Sequence, residues 1–464
     1  MAGRNIRAGR NIRTGRNIRT GRNIRAGTAG AVALAVAIAG TGAATGPASA
    51  FASAPAVHYL DSVNGDDSAA GTSAATAWRT LARASAAALA PGSRLLLKRG
   101  GSWTGRLSVS RSGTAAAPIV IDAYGSGARP VVKGDTESCV HLAGDHIELY
   151  NLQIGVGQDA GRCSWAGVKV TGDDNVVEKN LITGAAAGVF IATTARHTAV
   201  TDNDFVDNNH MSTLTPTDVD PNDDSGAFAV LVQGDDSNIG WNRISGSIAF
   251  SHDYEWDGAA VEIFLGSRNR IHHNIAVDND TFTELGTSTD ADGTTNDPDG
   301  TTGNVFEYNA VYGPKTRAGL ITRGPRDEGG PIEPNGPVLG TVFRNNSVHL
   351  THPDSEGVVC YAGCADAHLS LSQNVVSAAR KSGYADPGFT DNHHNVFWGG
   401  QFQMRPGRDN VHRDPLFDPA RPMRLRAGSP AIGLGVTRYA ELDLDGAAVG
   451  GDGGIEAGAY EYQG

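Results

Sequence analysis

The densest run of chemically competent side chains lies between His252 and Glu284. It opens with His252, Asp253, Tyr254, Glu255, Trp256 and Asp257, continues with Glu262 inside an apolar run, and passes His272 and His273. It closes with Asp278, Asp280 and Glu284. Carboxylates either move protons or hold a hard cation such as calcium, and flat aromatic rings offer stacking faces to sugar rings. Asp257, Glu262 and Glu284 are therefore the candidate acid, base or nucleophile set, with His252, Tyr254 and Trp256 as candidate substrate contacts. Asp257 and Glu284 stand 27 residues apart, so a chain that coils with about that period brings them together, and the pair can then hold calcium. Downstream, Lys315, Arg317 and Arg323 are the nearest strong bases. Each of these residues also has a purely structural reading, a solvated or satisfied side chain, and for Glu262 the two stand level.

The elements that must position them follow from a repeat. An Asn followed within two positions by an aliphatic or aromatic residue recurs at Asn151, Asn180, Asn203, Asn242, Asn274, Asn309, Asn346, Asn374 and Asn395, at intervals of 21 to 39 residues. Gly172, Gly234 and Gly266 each fall eight residues before such an Asn, and each follows a short apolar run. Short β-branched runs punctuated by Gly and Asn describe strands separated by tight turns. One such coil is too thin to bury its own apolar face, but stacked coils share a continuous core. Asn suits the turn because it tolerates left-handed backbone, and its amide can bond neighbouring coils. A β-propeller needs an even repeat near 40–50 residues and a leucine-rich repeat needs its Leu consensus; neither fits. Counting back twelve from the Asn series puts Val168, Ile191, Val230 and Glu262 in one inward column, where an ionised Glu is costly. A one-residue bulge would instead turn Val261, Ile263 and Leu265 inward and Glu262 outward.

These features, with the opening His58-Tyr59-Leu60-Asp61 and Trp78-Arg79-Thr80-Leu81 and the closing Asp414-Pro415-Leu416-Phe417 and Gly458-Ala459-Tyr460-Glu461, resemble the pectin-lyase-like family over roughly residues 57–464. The resemblance implies an all-β fold: a single right-handed parallel β-helix, capped at its N-terminal end by a short helix over 81–89. Asp257-Gly258 with Glu284 is also similar to the calcium-binding acids of family-nine pectate lyases. The chain departs from that pattern at Thr281, Phe282 and Thr283, where those enzymes carry further Asp, and at 320–323, where their catalytic Lys would fall and Arg323 stands instead. The resemblance implies a polysaccharide partner and three readings. The first is β-elimination on a uronate-containing polysaccharide, with Arg323 or Lys315 as base, Lys315 also touching substrate, and calcium on Asp257 and Glu284. The second is glycoside hydrolysis by two of Asp257, Glu262 and Glu284. The third is a non-catalytic glycan-binding surface protein. Calcium is the one cofactor implied.

Composition sets the surroundings. Residues 1–54 hold eight Arg and no acid, an apolar stretch over 31–39, and two Ala-Ser-Ala steps ending at Ala50 and Ala54. They read as a leader and cleaved signal peptide, followed by the β-helix over 55–464 and implying a secreted protein. The remainder carries 30 basic against 50 acidic residues, which excludes nucleic acid and anionic membrane as partners and repels acidic polysaccharide unless a cation or basic patch intervenes. No later run is long enough to span a bilayer, and a monomer is expected. In an exported chain the four cysteines pair as Cys139–Cys163, about one coil apart, and Cys360–Cys364. Zinc on Cys360 and Cys364 with His352 and His368 is the alternative. Irregular insertions at 215–224, 286–299 and 324–337 interrupt the coils and are expected to wall a groove. The Asp290-to-Asp292 run lacks the distal Glu of an EF-hand and reads as solvated loop.

Overall fold

A computed structural model describes residues 54–464 apart from 135–136, 158–160, 290–299, 327–329, 331 and 452–453. The leader with its cleavage sites and the Asp290-to-Asp292 run therefore lie outside the described residues. Short strands recur in threes. Val176–Glu178, Leu181–Thr183 and Ala187–Ile191 make one turn of the chain, and Ala199–Thr201 then lies back beside Val176–Glu178. Repetition builds three parallel faces. The first is a 12-stranded ladder from Val57–Leu60 to Asn392–His393. The second and third merge into one 21-stranded sheet, because Val375–Ala385 and Val396–Gln403 run through both. This is the parallel β-helix expected. The core is built column by column: Val168, Val189, Val230 and Val261 sit level on successive coils of the third face and are fully buried.

The Asn series occupies the turn from first to second face. The Oδ1 of Asn203 accepts from the Asn180 N–H at 3.0 Å, and Asn242, Asn274, Asn309, Asn346, Asn374 and Asn395 continue the chain of bonds at 2.8–3.1 Å. Each side chain thus satisfies a buried amide that the turn would otherwise leave without a partner. Left-handed backbone falls one residue earlier than expected, on Lys179, Asp202, Trp241, His273 and Tyr308, with φ between 53° and 61°. Asn is present for its amide, not for its φ. Asn151 is correspondingly out of step: it takes the left-handed position itself (φ 59°), and Leu152 holds the ladder site. Gly172 and Gly234 are required by the stack, since a Cβ there would meet a carbonyl oxygen of the adjoining coil at 2.1 and 2.3 Å.

The helix expected over 81–89 is shorter than that. It spans Leu81–Ser85, its Thr80 side chain accepting from the Arg83 N–H. Ala86 continues it as a turn, and residues 87–90 carry no regular structure. Ser85 Oγ accepts from the Ser108 N–H, so the helix lies along Leu107–Val109, the first strand of the third face. At the other end residues 414–451 and 454–462 fold back over the second face, burying Tyr460 against Ala310 and Leu425 against Val375. Both expected disulfides are formed, with Cα–Cα separations of 5.4 and 5.6 Å, so Cys360 and Cys364 are not zinc ligands. Cys163 lies in the loop before Ala166–Val170 rather than level with Cys139.

Candidate functional site

The third face carries the acids. Strand Ala259–Phe264 pairs with Thr281–Gly286 so that Glu262 is level with Glu284, between Leu231 on one side and Ile321 on the other. Val261 and Ile263 are fully buried in the core, so Glu262 points away from it. The twelve-residue count fails because the strand-to-Asn distance changes between coils. Val168, Val189, Val230 and Val261 are level, yet Val189 and Val261 lie 14 and 13 residues before their Asn. Leu265 does not enter the core; it leaves the strand in left-handed backbone at φ 77°.

Asp257 is not level with Glu284. It ends the strand Glu255–Asp257, five residues before Glu262, and its Oδ1 accepts from the Gly258 N–H at 2.8 Å. Five residues of extended chain reach up to about 16 Å, so the stack expected of Asp257 with Glu284 is instead a stack of Glu262 with Glu284.

Arg323 follows Ile321 by two residues and so shares its outward side. Its guanidinium pairs with Glu284 and lies 3.7 Å from Glu333. All are covered: Glu262 and Glu284 are 1 % exposed, Arg323 0 % and Glu333 7 %. Burial by itself would lower the Arg323 pKa, but the pull of Tyr361, Glu284 and Glu333 outweighs it and raises the pKa above its ordinary value. Glu333 was not among the expected site residues; its one sequence signal is membership of the 324–337 insertion. Residues 332–337, at the end of that insertion, lie against Arg323 and Gly286 as a cover. Thr287 and Thr289 N–H groups donate to the Asn335 and Pro334 carbonyls at 3.0 and 2.9 Å, and Val338 N–H donates to the Arg323 carbonyl.

The opposite flank, the turn from second to third face, is walled by two hairpins. Met211–Thr213 pairs with Ser225–Gly226, and Ala249–Ser251 with Glu255–Asp257. Asp224 clasps them: its Oδ2 accepts from Ser251 Oγ at 2.8 Å and the His252 N–H at 2.6 Å, while Asp253 Oδ2 accepts from the Asp223 and Asp224 N–H groups. Oxygens of Asp223, Asp224 and Asp253 lie within 4.8 Å of one another, and these hydrogen bonds account for the cluster as a clasp. On this hairpin His252 and Trp256 are exposed and Tyr254 is half-buried, its N–H bound to Ser251 Oγ. The sequence missed Phe250, 49 % exposed and edge-on to Trp256 at 6.5 Å. Arg317 ties the hairpin to the next coil, donating to the Trp256 carbonyl at 2.6 Å and to Asp280 at 2.7 Å. Lys315 is exposed in the turn entering Ala318–Arg323, its N–H bound to Asp278.

No protein-family model matches the sequence, and no curated protein is similar to it. Solved structures are. Pectate lyase Pel9A aligns at TM-score 0.50 and 15 % identity over 89 % of this chain and 98 % of its own. XylC in complex with xylose aligns at TM-score 0.52 and 9 % identity over 88 % and 99 %. An alginate lyase from Paenibacillus sp. str. FPU-7 aligns at TM-score 0.46 and 15 % identity over 72 % and 96 %. Likeness at such identities establishes the parallel β-helix and leaves the chemistry to the site.

Proposed function

We propose that this β-helix protein is a secreted polysaccharide-active enzyme whose third face is the substrate groove, and that it hydrolyses glycosidic bonds with Glu262 and Glu284. The observation that carries the reading is the register: two Glu side chains on the same outward side of adjacent coils. Neighbouring strands are ~4.7–4.9 Å apart, close to the ~5–5.5 Å carboxyl separation of retaining glycosidases. In that chemistry one carboxylate attacks the anomeric carbon while the other gives its proton to the departing oxygen. The second then takes a proton from the water that cleaves the glycosyl ester. Glu284, ion-paired with Arg323, is placed as the nucleophile, and Glu262 as the acid and then the base. Elimination would instead need a group able to take a carbon-bound proton. Arg323 is poorly suited, since it is held charged between two carboxylates. Substrate reaches the pair only when residues 332–337 move aside, and Phe250 and Trp256 offer exposed rings on the flank facing them. Two disulfides fit an exported protein, as does the lack, among the described residues, of any helix long and apolar enough to cross a membrane.

The test is product analysis on a panel of neutral and uronate polysaccharides. Hydrolysis releases reducing ends with retained anomeric configuration and is indifferent to chelator. Glu262→Gln and Glu284→Gln should each lower the rate by about 10²–10⁴-fold. Unsaturated, ultraviolet-absorbing products, or activity lost in chelator and restored by calcium, would return the reading to elimination with a bound cation. Full activity in both variants would remove the pair from the chemistry altogether.

A further inference from the structure

A cleft of about 420 Å³ lies away from the Glu262–Glu284 pair, between the second face and the folded-back C-terminal segment. Its floor is one column of the sheet: Tyr312 is level with His349, His349 with Ser377, and Ser377 with Trp398. Four coils thus present four side chains at strand spacing, a row ~14 Å long. Both ends are aromatic and the middle can form hydrogen bonds. The Trp398 indole is 45 % exposed. His349 Nδ1 is buried without a hydrogen-bond partner, and burial holds this imidazole below its usual pKa against the opposing pull of Asp414. The opposite wall brings Asp414 and Arg426, whereas Asp418 is engaged by Arg421 at 2.9 Å. Asp414, whose Oδ1 accepts from the Leu416 N–H at 2.8 Å, stands against Arg426, and one acid against one base leaves the wall close to neutral. Pockets that hold small ligands span ~300–1,000 Å³ and combine apolar surface with a few placed polar groups, which is the constitution here.

We propose that this cleft binds a neutral saccharide, one or two pyranose units of a glycan chain lying along the axis of the helix. The axial C–H faces of a pyranose pack on Tyr312 and Trp398. Its hydroxyls reach Asp414, Arg426 and Ser377, with the His349 ring on the floor between the two aromatic ends. A uronate would set its charge against Asp414 and gain only Arg426, and an alkyl chain would leave the polar middle of the row without hydrogen bonds. The site holds glycan and makes no bond changes, and it stands whether or not Glu262 and Glu284 are catalytic.

The experiment titrates the protein with cellohexaose, xylohexaose and mannohexaose, using a galacturonate hexamer as the charged control, and follows tryptophan fluorescence and calorimetric heat. At least one neutral hexamer should bind. Trp398→Ala should weaken it about tenfold, equivalent to ~1.4 kcal/mol. Trp398 is nearly half exposed, so its loss should change thermal stability little. No binding by any neutral hexamer, binding untouched by Trp398→Ala, or binding by the charged hexamer alone would each overturn the proposal.

Discussion

Arg323→Met removes the guanidinium that separates Glu284 from Glu333 and keeps most of the aliphatic stem. The three side chains are 0 %, 1 % and 7 % exposed, with Glu262 level with Glu284 at 1 %. Removing the cation therefore leaves covered carboxylates facing one another where water is excluded. Breaking a buried ion pair by deleting one partner costs about 3–5 kcal/mol, because the surviving charge loses its compensation. Glu333 is nearest solvent and can turn outward, so the lower half of that range is expected. Glu284→Gln in the same background relieves part of the penalty, and the double variant should be less unstable than the sum of the singles by about 2–3 kcal/mol. Urea denaturation gives both numbers, and amide exchange in 281–286 and 318–323 shows whether the loss is confined to those coils. A single-variant loss below about 1 kcal/mol with no coupling would mean that water already reaches these groups. The cover by 332–337 would then not describe the protein in solution.

Two further outcomes are expected. Asn274→Ala deletes a side chain that accepts from the Asn242 N–H and donates to the Ile239 carbonyl and Asn309 Oδ1. Stability should fall by about 2–4 kcal/mol, with faster amide exchange centred on Asn242, whereas Asn151→Ala, outside the ladder, should cost far less. Glu461, which anchors the closing segment, has its pKa raised from 4.5 to about 8 by burial, then by its hydrogen bond with Glu456. A carboxyl whose folded pKa is raised stabilises the fold fully below about pH 4.5 and loses that contribution as pH rises through about 8. The melting temperature should drop across that window, and Glu461→Gln should flatten the drop; an unchanged slope would show that Glu461 is already solvated.

The fold was legible because its cause is local and repeated. A turn that buries an amide in every coil selects Asn in every coil, so the ladder from Asn180 to Asn395 is printed in the sequence. Asn151 was misread for the same reason: Asn also tolerates left-handed backbone, and the letter does not say which property is in use. The Ala-rich run 86–90 looks helical by composition, yet the helix stops at Ser85.

The sequence points to these acids but not to the residues level with them. Asp257 and Glu284 fit one coil by residue count, yet coils differ in length at their turns, and counting measures chain rather than height along the helix. What fixes height is which inward residues are level: Val230 with Val261 and Val261 with Thr283. A sequence reading that aligned the apolar columns first would have moved Glu262 one place from Val230 to Leu231 and stacked it on Glu284. It would not have found Glu333, whose place beside Arg323 depends on how an irregular insertion folds back, with no period to read. The catalytic reading rests on that difference. The Glu262–Glu284 pair comes from the periodic part of the chain and is fixed by the core, whereas its cover comes from the aperiodic part. Under the proposed hydrolysis this division has a use: the reacting groups would stand on a rigid sheet, and the segment that would yield to substrate carries a few loop hydrogen bonds and one ion pair.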